Sequence, residues 1–322
     1  MAGIVSYIAG IDEPRTLVFG ITGRQGKSKT RLMRKYGTHI LAGCTPGKGG
    51  QEVDGVPVFN SAAEAVDSFP ELNSAVFFVP AGAVRKAAME AMDAGLRFLV
   101  LTADGVPVHD EIALKEYASE RGSFCLGPNT VGLLDTEGYL FGLIGGSATW
   151  AKKNYRPGCV GVISRSGGLS QLLGAFHCRP GLPGPREDGS YGPLWGDDYP
   201  GLSALVCVGG DPVPGITMLD AALAFQADPR TEVIAVYGET GTTQENDMAE
   251  AVSGGELTKP VVVFLGGKYT RAGVAQSHAG AMIRNDSETW QAKFDALTGA
   301  GITVVERPDA VFGAVLHELK ET

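Results

Sequence analysis

One histidine lies among residues small enough to leave its ring accessible. His278 follows Ser277 and precedes Ala279 and Gly280, in a glycine-containing segment after the apolar run PVVVFLGG. Histidine has an unperturbed pKa of about 6.5, so near neutral pH its uncharged nitrogen can attack phosphorus. Lone histidines are more often structural, so these neighbours leave a structural and a catalytic interpretation open.

A carboxylate occupies a position suited to orient such an imidazole. Glu239 follows the apolar run EVIAVY in the sequence GETG. In open α/β sheets, ligand crevices lie at the carboxyl ends of the strands, so we expect Glu239 at a crevice. A carboxylate there can hold an imidazole and favour its cationic form.

A candidate anion site follows the apolar run CVGVI. Ser164, Arg165, Ser166 and Gly167 precede the apolar segment LSQLLGAF, for which a helix is predicted. Hydroxyl groups, an arginine and the free N–H groups of a helix N-terminus all favour an anion. The same motif could equally be a helix cap.

A glycine-rich segment suited to phosphate follows the strand-like run TLVFG. It reads GITGRQG from Gly20 to Gly26 and opens a predicted helix, whose N–H groups can approach a phosphate. A dinucleotide-binding domain normally ends its second strand in an acidic residue, but here HILAGC leads into TPGK, which ends at Lys48. A lysine there favours an additional phosphate, so the 3′-phospho-ADP portion of CoA fits better than NAD. The alternative is a glycine-rich turn that only connects two elements.

Two further patterns bear on function. The segment GGDPVPG, at residues 209–215, predicts a tight and rigid loop, but its spacing gives no catalytic role for Asp211. The sequence contains neither a G-x-S-x-G elbow nor a Walker A motif. A serine triad is therefore disfavoured, and any ATP must bind to another chain.

The order of the apolar runs predicts two α/β domains. Short apolar runs alternate with amphipathic helical segments, which is the pattern of mainly parallel sheets with helices on both faces. A polar stretch ending in a proline puts the boundary near residue 155, which gives domains at 1–155 and 156–322. Residues 178–201 are rich in proline and glycine and predict a long loop in the second domain.

Composition disfavours several classes of function. The 322 residues carry a net charge of -9, which argues against nucleic acid or an anionic membrane as a partner. Five cysteines without a C-x-x-C pair suggest neither a disulfide framework nor a thiolate metal site. The N-terminal apolar stretch is short and lacks a basic segment, so we expect no export signal and a cytoplasmic location.

Six short motifs together resemble those of one known family. TGRQG, TPGKGG, SRSGGL, GGDPVPG, GETG and SHAGAM occur in the order and approximate spacing seen in the α subunit of succinyl-CoA synthetase. The resemblance covers nearly the whole chain from about Thr16. It implies a Rossmann-like CoA-binding domain followed by a flavodoxin-like ligase domain.

The resemblance also implies an activity and a partner. The family forms an acyl-CoA thioester from a carboxylic acid, CoA and a nucleoside triphosphate, through an acyl phosphate and a phosphohistidine. Mg-ATP or Mg-GTP would bind to a separate β subunit with an ATP-grasp fold, and this chain would hold no metal. We therefore expect CoA, a small carboxylic acid and a β subunit as partners.

Site residues follow from the resemblance position by position. His278 resembles the phosphorylated histidine, and Glu239 resembles the carboxylate that holds it. The residues that resemble the phosphate-receiving helix terminus are Ser164, Ser166 and Gly167. The residues that resemble CoA-contacting positions are Thr22, Gly23, Arg24, Gln25, Gly26 and Lys48. Thr102 and Asp104 lie in TADGVP, which resembles the family's TEGIP turn near the CoA crevice, with Asp104 where glutamate is usual.

Several departures from the family pattern leave the acid open. Ser277 replaces the glycine before the active histidine, Gly168 replaces a threonine, and residues 241–243 replace a Gly-Gly pair. Residues 178–201 are largely an insertion. Succinate or a related acid is expected, and a non-catalytic CoA-binding regulatory protein is the alternative. An NAD(P)-dependent oxidoreductase is a third interpretation, which rests on the glycine segment alone.

Overall fold

The computed structural model describes residues 3–178, 199–271, 273 and 281–321, and the backbone of residues 183–185 and 191–193. Two sheets of mainly parallel strands carry helices on both faces, so the predicted fold class is confirmed. Each apolar run named above forms a strand.

The first sheet follows the Rossmann order of strands. Its strands are β1 (Arg15–Phe19), β2 (His39–Cys44), β3 (Glu52–Val53), β4 (Val56–Phe59), β5 (Ser74–Phe77), β6 (Phe98–Leu101) and β7 (Phe124–Leu126). They lie in the order β3-β4-β2-β1-β5-β6-β7. The helices in this part of the chain are α1 (Ile4–Ala9), α2 (Arg24–Tyr36), α3 (Ala62–Ser68), α4 (Ala81–Asp93) and α5 (Val108–Arg121).

The second sheet has a flavodoxin-like centre. Its strands are β8 (Gly132–Asp135), β9 (Leu140–Gly142), β10 (Pro157–Ser164), β13 (Leu202–Cys207), β14 (Val233–Gly238), β15 (Val261–Leu265) and β16 (Thr303–Val305). They lie in the order β16-β15-β14-β10-β13-β8-β9. The helices are α6 (Ala148–Asn154), α7 (Gly167–Phe176), α8 (Met218–Ala227), α9 (Gln244–Ser253), α10 (Trp290–Gly299) and α11 (Ala310–Glu321), with a 3₁₀ helix at Asp286–Glu288.

The burial of the central strands explains why their positions could be predicted from the sequence. Every residue of β5, β6, β13 and β14 is buried. Helices cover both faces of a parallel sheet, so its central strands are continuous apolar runs.

Two features around the second sheet differ from a simple division of the chain. β8 and β9 precede residue 155, yet β8 pairs antiparallel with β13 in the second sheet. The boundary near residue 155 stays a prediction. Within residues 178–201, expected to form a loop, β11 (Pro183–Pro185) pairs antiparallel with β12 (Tyr191–Pro193).

Two kinds of feature are absent from the described residues. None of the helices found there combines the length and hydropathy needed to cross a membrane. No group of three or more His, Cys, Asp and Glu side chains in the same residues is arranged to hold a metal ion.

Candidate active site

The candidate anion site lies where the strand order of the second sheet reverses. β10 pairs with β13 on one side and with β14 on the other, and ligand crevices form at such a point. The Ser164 hydroxyl donates to the Ser166 carbonyl at 3.0 Å and accepts from the Ser166 N–H at 3.1 Å. Ser166 precedes α7, but its side chain makes no capping hydrogen bond in the described structure. Ser166 therefore occupies the N-cap position of α7 without capping the helix through its side chain.

Close packing explains the glycine that begins α7. A Cβ atom at Gly167 would clash with a methyl group of Val131. The first turn of α7 therefore lies directly against the chain entering β8. Its N-terminus points toward the carboxyl end of β10, where a helix favours an anion.

A buried ion pair lies beside this helix terminus. Arg165 is 0% exposed, and its Nη1 atom lies 3.2 Å from Glu239 Oε1. The same Nη1 lies 3.4 Å from Thr242 Oγ1, and Nη2 lies 3.4 Å from the Gly210 carbonyl. Tyr237 donates from its hydroxyl to Glu239 Oε2 at 3.5 Å. An ion pair in a water-poor site fixes the orientation of the Glu239 carboxylate.

A second buried pair, not anticipated from the sequence, holds the GETG turn. Lys293, on α10, donates to the carbonyls of Glu239 at 2.7 Å and Gly241 at 2.8 Å and pairs with Glu245 on α9. The Glu239 N–H donates to Glu245 Oε1 at 2.9 Å. Lys293 lies in an amphipathic stretch where a lysine is normally solvated, so its sequence gave no signal of this contact.

His278 lies outside the described residues, as do Ser277 and Gly280, so its predicted role stays a prediction. The chain on both sides of this segment contacts the GETG turn. The Gly266 N–H donates to the Gly238 carbonyl at 2.9 Å, and the Gly241 N–H donates to the Glu288 carbonyl at 3.0 Å.

A crevice lies in the first sheet, in the part of the chain for which CoA binding is predicted. A cavity of about 700 Å³ opens at the carboxyl ends of β1, β2 and β5, within the usual size range of ligand pockets. β1 pairs with β2 on one side and β5 on the other, so the cavity lies at the point where strand order reverses. A Cβ at Gly26 would clash with the Gly20 carbonyl oxygen, so α2 begins directly against the end of β1.

Two of the eight predicted CoA residues, Thr22 and Gly23, line the cavity. Gly26 is buried behind them, and Arg24 and Gln25 are exposed in the first turn of α2.

Lys48, Thr102 and Asp104 do not line this cavity, and neither do Arg24, Gln25 and Gly26. Lys48 and Asp104 are exposed, and Thr102 donates to the Phe77 carbonyl at 2.7 Å.

Most of the lining residues were not predicted, and two polar ones among them are Asn60 and Lys86. Asn60 comes directly after β4. Lys86 could have been predicted from the sequence. It lies in the second turn of α4, and α4 begins at the carboxyl end of β5, next to the crevice.

The two parts of the chain match two family models. Residues 12–105 match a CoA-binding domain, and residues 197–316 match a succinyl-CoA ligase-like flavodoxin domain. This combination defines the class of acid–CoA ligase subunits.

Nearly full-length relatives narrow the class to one family. The ADP-forming sulfoacetate-CoA ligase subunit SqwL of an Acholeplasma species is 35% identical over 96% of this chain and 97% of its own. The α subunit of an ADP-forming succinate–CoA ligase from Methanothermobacter thermautotrophicus is 36% identical over 96% of each chain. The chain belongs to the family of succinate–CoA ligase α subunits.

A solved structure has the same fold. ATP citrate lyase from Methanothrix soehngenii, determined in complex with citrate and coenzyme A, superposes with a TM-score of 0.83 at 26% sequence identity. The superposition covers 96% of this chain and 50% of the lyase chain, so this chain spans about half of that protein.

Proposed function

We propose that this chain is the α subunit of a nucleoside-diphosphate-forming acid–CoA ligase. The observation that carries the proposal is the buried ion pair of Arg165 and Glu239 beside the N-terminus of α7. A fixed carboxylate can orient a histidine, and the helix N-terminus favours a phosphoryl group by about 0.3–1 kcal/mol, or ~2 kcal/mol when partly buried. Such modest stabilisation assists the phosphoryl group without trapping it.

His278 is the proposed carrier of the phosphoryl group. Contacts of Gly266 and Glu288 with the GETG turn support this role, because they bring both flanks of the segment 274–280 to the turn that carries Glu239. Ser164, Ser166 and Gly167 are proposed to receive the phosphoryl oxygens at the start of α7.

The proposed reaction transfers one phosphoryl group in a relay. A nitrogen of His278 attacks the terminal phosphorus of the nucleoside triphosphate, forms a P–N bond and releases the diphosphate. A carboxylate oxygen of the acid then attacks the phosphorus, breaks the P–N bond and forms an acyl phosphate. The CoA sulfur, having lost its proton, attacks the acyl carbon and displaces inorganic phosphate, which leaves the thioester.

CoA is proposed to bind in the cavity of the first sheet. Thr22, Gly23 and Gly26 would accept the pyrophosphate at the start of α2, where backbone N–H groups and the helix terminus favour anions. Arg24, Gln25 and Lys48 would reach it from the rim. Thr102 and Asp104 would contact CoA only beyond the cavity, because neither lines it.

The nucleotide and its Mg²⁺ are proposed to bind to a separate ATP-grasp β subunit. The sequence of this chain contains no Walker A motif. The partner would therefore determine the choice between ATP and GTP, and both nucleotides are to be tested with it.

The acid is proposed to be a short carboxylic acid with a second acidic group. The relatives named above include a succinate–CoA ligase subunit and a sulfoacetate-CoA ligase subunit. Succinate and sulfoacetate share a carboxylate and a second anionic group, and differ in whether that group is a carboxylate or a sulfonate. The departures at Gly168, Ser277 and residues 241–243 make the choice between them open to experiment.

The test is phosphorylation of the chain together with its partner. The chain is co-expressed with a candidate ATP-grasp subunit and incubated with labelled Mg-ATP or Mg-GTP, and acid-labile phosphate is mapped. We expect label on His278, none in H278N, and normal labelling in H317N, because His317 is an exposed histidine on α11. CoA with the correct acid should then discharge the label.

Two outcomes would contradict the proposal. An unlabelled His278 with tight binding of CoA would support a non-catalytic CoA-binding protein. Label that persists with CoA and every acid tested, including succinate and sulfoacetate, would contradict the ligase reaction.

A further inference from the structure

Two buried carboxyl groups meet where the CoA-binding domain contacts the ligase domain. Glu111, on α5, is 1% exposed, and Asp211, in the loop after β13, is 2% exposed. The Val213 N–H donates to Glu111 Oε2 at 3.0 Å, and Asn129 Nδ2 donates to Asp211 Oδ1 at 2.9 Å. The second oxygens, Glu111 Oε1 and Asp211 Oδ2, are buried and accept no hydrogen bond from any other described group.

The two carboxyl groups are neighbours, because Glu111 accepts from the N–H of Val213, two residues after Asp211, and each carboxyl group affects the pKa of the other. Two carboxylates have no proton between them, so a hydrogen bond requires that one be neutral. Like charges in a buried site also oppose the ionisation of both groups, as in other paired carboxyls. Burial, foremost, raises the pKa of Glu111 to about 7 and also raises the pKa of Asp211.

Other charged groups around the pair come from three elements. After burial and the hydrogen bonds of Asp211 itself, Asp104 raises the pKa of Asp211, whereas Arg165 lowers it. Lys115, one turn after Glu111 on α5, donates to the Pro214 carbonyl at 3.2 Å. The ammonium group of Lys115 therefore holds the backbone of the loop.

The loop at residues 209–215 links this pair to the candidate active site. The Gly215 N–H donates to the Gly127 carbonyl at 3.0 Å, and the Gly210 N–H donates to the Asn129 carbonyl at 3.3 Å. The Gly210 carbonyl accepts from Arg165 Nη2 at 3.4 Å. A shift of the loop would therefore move an acceptor of the arginine that pairs with the Glu239 carboxylate.

We propose that Glu111 and Asp211 share one proton, and that this pair positions the loop 209–215 and, through Gly210, Arg165. The positioning role rests on the proposed ligase function, whereas the shared proton does not. Both residues act through Arg165 and not on the substrate.

The first test detects the proton directly. Infrared spectra of the full chain at about pH 6, below the raised pKa of Glu111, should contain the C=O band of a buried neutral carboxylic acid. The band should disappear in E111Q and remain in E116Q, because Glu116 is an exposed residue on the same helix. Absence of the band in the wild type, or its persistence in both E111Q and D211N, would overturn the shared proton.

The second test uses the geometry of amides. In E111Q, the amide nitrogen can donate to Asp211 while the amide oxygen accepts from the Val213 N–H, and D211N is matched in the same way. In the double variant E111Q/D211N, two NH₂ groups face each other. We expect the melting temperature of each single variant to lie near that of the wild type. The melting temperature of the double variant should fall by much more than the sum of the two single changes. Additive behaviour would contradict the pair.

The third test concerns the sign of the pH dependence. Burial raises the pKa of folded Glu111 from 4.5 to about 7, so its proton stabilises the fold below pH 4.5 and this contribution is lost as the pH rises to about 7. Wild-type stability relative to E111Q should fall across this window. An unchanged difference would contradict the inference.

The fourth test separates positioning from folding in the assembled enzyme. E111A should lower kcat about tenfold with little change in KM, and E111Q should restore most of it and flatten the pH profile near pH 7. If E111A keeps wild-type kcat while the infrared band is present, the positioning role is wrong. If the wild type forms no phosphohistidine, the proposed ligase function fails independently of the band.

Discussion

At the scale of single residues, Arg165 helps to fix the position of the candidate catalytic carboxylate. Its guanidinium is fully buried and contacts Glu239, Thr242 and Gly210. Replacing it with methionine preserves much of the volume but leaves the Glu239 carboxylate buried without this cation. We expect R165M to lower the free energy of unfolding by about 3–5 kcal/mol, measured by urea denaturation.

An exposed ion pair provides the control for this change. Arg31 pairs with Asp54, and the Arg31 side chain is 58% exposed. R31M should leave the denaturation midpoint unchanged, because water and salt screen an exposed pair. Equal effects of R31M and R165M would contradict the account of the buried pair.

Lys86 gives a second prediction at this scale. Its side chain lines the cavity of the first sheet and makes no ion pair with the described residues. Under the proposed function, K86A should weaken CoA binding about tenfold, or ~1.4 kcal/mol, because one charge-assisted phosphate contact is lost. Calorimetric titration with CoA measures the change. The control is K320A, because Lys320 is an exposed lysine on α11, and this variant should bind CoA normally. Normal CoA binding by K86A would show that Lys86 does not belong to the site.

At the scale of elements, the start of α2 depends on a close contact between two glycines. A Cβ at Gly26 would clash with the backbone of Gly20, so G26A must displace the helix terminus that faces the cavity. We expect G26A to lower the melting temperature and the affinity for CoA together. The matched variant G168A adds its methyl where no atom lies within 4 Å and should not lower the melting temperature. Tight CoA binding by G26A would show that the helix start does not form the site.

The strands and helices that frame both sites could be predicted from the sequence, whereas the hairpin β8–β9 and the buried charges could not. Buried parallel strands leave continuous apolar runs, so β1, β10 and β14 and the residues after them could be found by pattern. The hairpin β8–β9 consists of short strands, and its partner β13 lies much later in the chain. Local pattern does not identify such a partner, so the hairpin was missed and its sheet could not be assigned.

The buried charges were hidden for a related reason. Lys293 and Glu245 look like ordinary helix-surface residues, and Glu111 lies in a polar first turn of α5. Each acquires its role only when a distant element covers it. The motifs therefore predicted where Glu239 and Thr22 would lie but not which side chains hold the surrounding turns.

At the scale of the whole molecule, contacts outside the candidate site also join segments that are far apart in the chain. Arg230, before β14, donates to both Asp135 oxygens at 2.9 Å and to Asp228 at 2.8 Å. Asp135 also accepts from the Ile4 N–H at 2.8 Å, which attaches α1 to the hairpin strand β8. The glycines of loop 209–215 make a separate contact with the Gly127–Asn129 turn. The cavity of the first sheet and the ion pair of Arg165 and Glu239 thus belong to parts of the chain that are held together at several points.

This coupling makes ligand-dependent stability a test of the binding site as a whole. Any ligand that binds only the folded protein raises the free energy of unfolding, by about 2.7 kcal/mol when its concentration is 100 times Kd. We expect CoA to raise the melting temperature, and NAD⁺ to leave it unchanged, because the turn after β2 carries Lys48 where a dinucleotide site would have an acidic residue. Thermal denaturation with each ligand measures this, with G26A as the variant whose response to CoA should be lost. A shift with NAD⁺ and none with CoA would favour the oxidoreductase interpretation, since the same glycine segment would then bind a dinucleotide without an additional phosphate.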